Sequence, residues 1–228
     1  MSQIVNLRNV AFTFASSEHF ALHIAAFSLV AGERVLLLGP SGSGKTTTLN
    51  LLSGVVRPTQ GEIIFAAQDL CTMSSRQLDS FRGEHIGLIH QTFNLVPWLS
   101  AAQNIALGLA FSPQRKARLG RSVEAEVKHL LSAIGLAPEV FADQMAANLS
   151  IGQQQRVGAA RALIGQPELI LADEPTSALD PDATADFMQL LIGSLDPQRQ
   201  ALIMVSHDHR LAPYFTRIEN MADLMELK

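Results

Sequence analysis

Four short runs along this chain are apolar almost without interruption: Arg34 to Leu38, Ile86 to Ile89, Leu169 to Ala172 and Ala201 to Val205. Unbroken apolarity, rather than alternation, is what a strand needs when both of its faces are covered, and helices on both faces imply a mostly parallel sheet. Buried helix turns are the competing reading. The runs are short, bounded by Gly, Pro or charged residues, and separated by long segments, as parallel crossovers of a dozen or more residues require. The expected fold class is therefore α/β. Just past the runs stand Gly39 to Thr46, Gln91, Asp173 with Glu174, and Ser206 with His207. Ligands of open parallel sheets bind beyond the carboxyl ends of the strands, so these four positions are expected to converge on one crevice.

Gly39, Pro40, Ser41, Gly42, Ser43, Gly44, Lys45 and Thr46 spell G-x-x-x-x-G-K-[ST], after a strand and before a helical run from Thr47 to Leu52. Glycines let such a loop curl until successive N–H groups point inward at phosphate oxygens, and the following helix start adds partial positive charge. Lys45 is expected to reach the β- and γ-phosphates, and the Thr46 hydroxyl to ligate magnesium. The loop specifies a nucleoside triphosphate without specifying a family, since kinases, GTPases and ATPases share it.

The totals narrow the classes. A chain of 228 residues with 47% hydrophobic content can bury one large core, with room for an inserted subdomain. A net charge of −4 and a pI near 6.0 give no broad cationic field, so nucleic acid is not the expected partner. Cys71 is the single cysteine, which fits a reducing compartment such as the cytosol. The first residues lack the basic and apolar regions of a secretory leader. The stretch from Phe20 to Ala31 falls short of the roughly 20 apolar residues that cross a bilayer, so at a membrane another chain is expected to do the spanning.

Asn148 to Arg156 (NLSIGQQQR) closely resembles the signature of ATP-binding cassette ATPases. Pro167 to Asp180 (PELILADEPTSALD) looks like that family's Walker B strand and D-loop, and Gln91 and His207 follow the family's order. The resemblance implies a P-loop NTPase (RecA-like) core with a mostly parallel sheet, an N-terminal antiparallel β region and an inserted helical subdomain, all in one ATPase domain over 1–228. The core would take 1–91 and 157–228, the subdomain 92–156. It implies ATP and Mg2+ as cofactors and a head-to-tail homodimer that sandwiches two ATP molecules. By resemblance Asp173 holds magnesium, Glu174 polarises the attacking water, Gln91 senses metal and water, and His207 contacts the γ-phosphate. Thr46, Gln91 and Asp173 are thus the candidate metal ligands. The nucleotide-binding candidates run from Gly39 to Thr47. Ser150, Gly152 and Gln153 would face the partner's ATP. Phe14 sits where family members stack an aromatic on adenine, with Phe12 a second candidate; a half-buried strand is the other reading of that alternating segment.

The local chemistry agrees. Ser150 followed by Gln153 is a capping box, opening a helix through Val157, Ala160 and Ile164. Ser122 to Ile134 reads as a helix with one apolar face, beside a basic stretch from Arg115 to Arg121. Trp98 follows Pro97 in a loop and is open to two readings, an apolar anchor for a permease or packing inside the helical subdomain. Glu84 to Leu107 is most similar to ATPases of the lipoprotein-releasing and macrolide-export type, although Leu88, Ile89 and His90 depart from the usual aromatic-rich version. The resemblance thus implies an ATPase subunit on the inner face of the cell membrane that drives a separate permease. The alternative is a non-transport member that regulates a membrane partner such as a cell-division complex.

Ile151 replaces the first glycine of the family signature. A β-branched side chain forbids the conformations only glycine tolerates, so ordinary backbone angles are expected there. It also stands between Ser150 and Gly152, which must approach the partner's γ-phosphate closely. Glycine at this position loosens the first helical turn, by about 0.5–1 kcal/mol relative to Ala, but removes the obstruction. Ile151→Gly is expected to raise turnover of the dimer at saturating ATP without tightening nucleotide binding by the monomer. Equal or lower turnover makes Ile151 tolerated packing.

Overall fold

The computed structural model describes residues 2–13 and 21–224, so Phe14 and its expected adenine role lie outside the described residues. In chain order the elements are β1 (Gln3–Thr13), β2 (Ala21–Val30), β3 (Arg34–Leu38), α1 (Lys45–Leu52), β4 (Gln60–Phe65), β5 (Gln68–Asp69), α2 (Ser75–His85) and β6 (Ile86–Ile89). There follow α3 (Ala101–Ala106), α4 (Pro113–Ala117), α5 (Val123–Ala133), α6 (Pro138–Phe141), α7 (Ile151–Leu163), β7 (Leu169–Asp173), α8 (Pro181–Gly193), β8 (Ala201–Ser206), β9 (Arg217–Asn220) and α9 (Met221–Leu224). All four apolar runs are strands. The chain divides into two compact units, Met1–Arg82 with Pro197–Lys228, and Gly83–Asp196.

In the first unit β1 buries Val5 and Leu7 and, past an irregularity at Asn9 (φ 49°), Val10 and Phe12, beside Leu22, Ile24, Ile63 and Phe65. Residues two apart share a face of a strand, so this alternation yields an antiparallel sheet with one buried side, in the order β2-β1-β4-β5. Phe12 belongs to the buried face at 7% exposure, which settles it as core and removes it as a base-stacking ring. Gly61 is obligatory where β4 crosses β1: its φ is 91°, and a Cβ would lie 2.3 Å from the Asn9 carbonyl oxygen. The second sheet of this unit is parallel, with β3 between β8 and β9 and Leu36 level with both Met204 and Ile218. Val35 to Leu38 and Ala201 to Val205 are buried throughout, as their uninterrupted apolarity requires.

In the second unit β6 pairs in parallel with β7, Ile86 beside Leu169 and Ile89 beside Ala172. A Cβ on Gly87 would sit 2.2 Å from the Ala162 carbonyl oxygen, so the glycine lets α7 lie directly on β6. Helix α5 forms where its apolar face predicted, capped by the Ser122 hydroxyl on the Ala125 N–H. Asn104 is fully buried on α3 and ties down the loop ahead of it. Its Oδ1 accepts from the Val96 N–H at 2.8 Å and its Nδ2 donates to the carbonyls of Val96, Leu99 and Ser100. Trp98, in that loop, is 74% exposed, so the packed-inside reading fails. Among the described residues no helix is long and apolar enough to cross a membrane.

The basic stretch after α3 is not uniformly exposed. Arg115 is buried at 3% exposure. Its guanidinium donates to the carbonyls of Ile164, Ala162 and Gly83, and beside it Arg118 pairs with Glu84 at 2.7 Å. Burial, with Arg118 nearby, lowers its pKa to about 10, so the group stays charged at neutral pH. Five fixed donors suit this work, because one side chain satisfies three carbonyls from two separate segments. Arg115→Ala leaves those carbonyls buried without donors and is expected to cost about 3 kcal/mol, a fall in melting temperature of about 6–12 °C. Thermal unfolding of the two proteins checks it.

Candidate nucleotide site

The phosphate loop is built by glycine geometry. Gly42 and Gly44 have φ of 81° and 87°, and Gly44 caps α1 from the left-handed region, so the helix begins at Lys45 rather than at Thr47. A Cβ on Gly39 would lie 2.5 Å from the Ser43 hydroxyl oxygen and 3.0 Å from the Met221 Cβ, so the loop packs closely around this residue. Lys45 is 6% exposed, and its ammonium donates to the Gly39 carbonyl at 2.7 Å and the Pro40 carbonyl at 3.0 Å. The Ser43 hydroxyl is buried and has no hydrogen-bond partner among the described residues. The Gly39 N–H donates to the Ser206 carbonyl, which sets the loop beside the end of β8. His207 comes next and, with Leu38, Gly39, Pro40, His209 and Asn220, lines a cavity of about 520 Å³.

The acidic residues of the second unit occupy a strained turn. Asp173 ends β7 and Glu174 follows with φ 42°, left-handed for a residue that has a side chain and precedes a proline. The Ser177 N–H donates back to the Glu174 carbonyl at 3.2 Å, and the Ser177 hydroxyl accepts from Gln91 Nε2 at 3.3 Å. Gln91 and Glu174 are therefore tied to one residue. Asp180 ends the turn by capping α8 on the Ala183 N–H. Burial, reinforced by Arg161 and opposed by Asp173, holds the His90 pKa below the usual imidazole value, so this ring is neutral at pH 7.

Beyond Gln91 the backbone is left-handed twice, at Phe93 (φ 56°) and Asn94 (φ 46°). Arg161 of α7 holds both, donating to the Phe93 and Asn94 carbonyls. At the other end of α7 the Ser150 hydroxyl accepts from the Gln153 N–H at 3.3 Å and the Gln153 carboxamide oxygen from the Ser150 N–H at 2.9 Å. The capping box is complete. Ile151 opens the helix with ordinary backbone and 59% exposure, and Gly152 has open space where a Cβ would be. Gln155, assigned no role from sequence beyond its place in the signature-like stretch, is fully buried with its Nε2 on the Pro175 carbonyl at 2.6 Å.

The profile of the ABC transporter family matches residues 22–177. The chain belongs to the ABC transporter family. The cassette is 39% identical over 188 residues to the lipoprotein-releasing system ATP-binding protein LolD of Chromohalobacter salexigens, covering 82% of this chain and 77% of that one. It is 37% identical over 224 residues to the uncharacterized ABC transporter ATP-binding protein MJ0796 of Methanocaldococcus jannaschii, covering 96% and 94%. The solved dimeric, post-hydrolysis structure of MJ0796 bound to ADP and Pi superposes with a TM-score of 0.83 at 35% identity, covering 98% of this chain and 97% of that one. The macrolide export ATP-binding/permease protein MacB 2 of Aeromonas hydrophila is 35% identical over 222 residues, which is 96% of this chain and 33% of that longer protein.

Within the cassette, Gly39 to Thr47 and His207 belong to the first unit, while Gln91, Ser150, Gly152, Gln153, Asp173 and Glu174 belong to the second. His90, Arg161 and Gln155 are the structural partners that sequence reading missed. Lys45→Ala removes the one buried cation of the loop and is expected to weaken nucleotide binding by about 10- to 100-fold, the range of a charge-assisted hydrogen bond. Equilibrium titration with a fluorescent ATP analogue measures it; unchanged affinity would remove the phosphate site from this loop.

Proposed function

We propose that the cassette binds ATP on the phosphate loop and hydrolyses it to ADP and phosphate, as a dimer that drives a separate membrane permease. The observation that carries this reading is the loop itself. Two left-handed glycines turn it into a helix start, with a buried lysine bridging its first carbonyls and a buried serine hydroxyl left for an oxygen ligand to occupy.

In hydrolysis the attacking water gives up a proton to Glu174 as its oxygen bonds the γ-phosphorus. The bond from that phosphorus to the β–γ bridging oxygen breaks, and ADP departs. Gln91 orients the water, and Ser177, bonded to Gln91 and to the turn of Glu174, is suited to keep the two in step. Lys45 and His207 hold the γ-phosphate charge, and Ser150, Gly152 and Gln153 approach the partner's ATP. Thr46, Gln91 and Asp173 offer oxygen donors, the set a hard cation takes. Magnesium bound there would neutralise charge on the transferred phosphoryl group.

The likeness to the LolD and MacB proteins supports the lipoprotein-releasing and macrolide-export branch, a site on the inner face of the membrane, and a helical subdomain over 92–156 that meets the permease. Trp98 is suited to be its apolar anchor, exposed on a loop that Asn104 holds rigid. These relatives lend no support to the cell-division alternative. Glu174→Gln neutralises the base and keeps the phosphate and metal contacts. Turnover is expected to fall by about 100-fold or more, with ATP binding intact and an ATP-bound dimer accumulating on a sizing column. Turnover near wild type would remove Glu174 from its role.

A further inference from the structure

Glu174 stands in a conformation that its own chemistry opposes. Left-handed backbone is costly for any residue with a Cβ, and a following proline pushes its predecessor toward extended angles. Such a residue persists only where its surroundings over-determine it. Two hydrogen bonds of this kind are at hand. The Ser177 N–H fixes the Glu174 carbonyl, and Gln155 Nε2 fixes the Pro175 carbonyl at 2.6 Å. Proline has no N–H, so its carbonyl is the only polar main-chain group through which Pro175 can be held.

Gln155 is poorly matched to a purely stabilising task. It is fully buried, and its Oε1 has no hydrogen-bond partner among the described residues. An orphaned buried acceptor costs stability, and an apolar side chain of equal length would lack it. Its position is also specific: it sits on α7, five residues beyond the Ser150 cap, with its donor aimed at the peptide after the base.

We propose that Gln155 is a positioning residue for Glu174, holding the Glu174–Pro175 turn in its left-handed form through the Pro175 carbonyl. The inference rests on the reading of Glu174 as the general base. With Gln155 in place the carboxylate is set before ATP arrives; without it the turn relaxes toward extended backbone and the base swings away from the water. Because α7 also carries Ser150 and Gly152, the same side chain couples the helix that reaches the partner's ATP to the base that serves its own.

Two variants test this. Gln155→Met keeps length and bulk and removes the donor. Its kcat is expected to fall by about 10- to 100-fold, the scale of a misplaced catalytic group, while ATP affinity by equilibrium titration and melting temperature stay at wild-type values. Gln155→Glu donates to the Pro175 carbonyl only when protonated, and burial raises a carboxyl pKa. The ratio of its kcat to that of wild type should therefore climb as pH falls from about 8.5 to about 6. Wild-type kcat in Gln155→Met, a flat ratio in Gln155→Glu, or a loss of affinity and melting temperature that parallels the loss of kcat would each overturn the proposal with the ATPase reading intact. Wild-type turnover in Glu174→Gln would overturn the base assignment, and the positioning role with it.

Discussion

A strand covered on both faces can place polar side chains only at its ends. Val35 to Leu38, Leu169 to Ala172 and Ala201 to Val205 are all buried, and the chemistry begins in the next residues. Burial thus does more than stabilise these strands. It places the loop at Gly39 and His207 at the carboxyl ends of β3 and β8 in one unit, and Asp173 and Glu174 at the carboxyl end of β7 in the other.

The four strands, the phosphate loop, α5 and the capping box of α7 were all legible, because each is a local pattern: continuous apolarity, glycine spacing, one apolar helix face, a Ser with Gln three residues on. What stayed hidden depends on partners distant in sequence. Arg115 reads as one residue of a basic stretch, yet it is buried and bonded to carbonyls 47 and 49 residues away. Gln155 reads as one more helical glutamine until Pro175, 20 residues on, comes beside it. The left-handed backbone at Phe93, Asn94 and Glu174 has no glycine to announce it, since tertiary hydrogen bonds rather than residue type hold it there. For Trp98, the Pro and Trp suggested a loop, but its exposure follows from the fold, in a loop whose Val96 and Leu99 carbonyls accept from the buried amide of Asn104.

The strained segments share one support. Arg161 and Gln155 both belong to α7; the first holds the turn beyond Gln91 and the second the turn beyond Glu174. Gly87 lets the same helix seat against β6 with no side chain between them. The turn beyond Gln91 and the turn beyond Glu174 thus lean on one helix, whose own register a capping box and close packing define.

That helix is also electrically lopsided. Its carboxyl end is met by cations: Arg161 lies in its last turn, and the Arg115 guanidinium binds the carbonyls of Ala162 and Ile164. Its amino end has no acidic residue in the first turn. The negative pole of the macrodipole is therefore neutralised inside the protein, while the positive pole at Ser150 meets solvent with nothing of its own to balance it. An anion at Ser150 would supply the counter-charge that the first turn of the helix lacks.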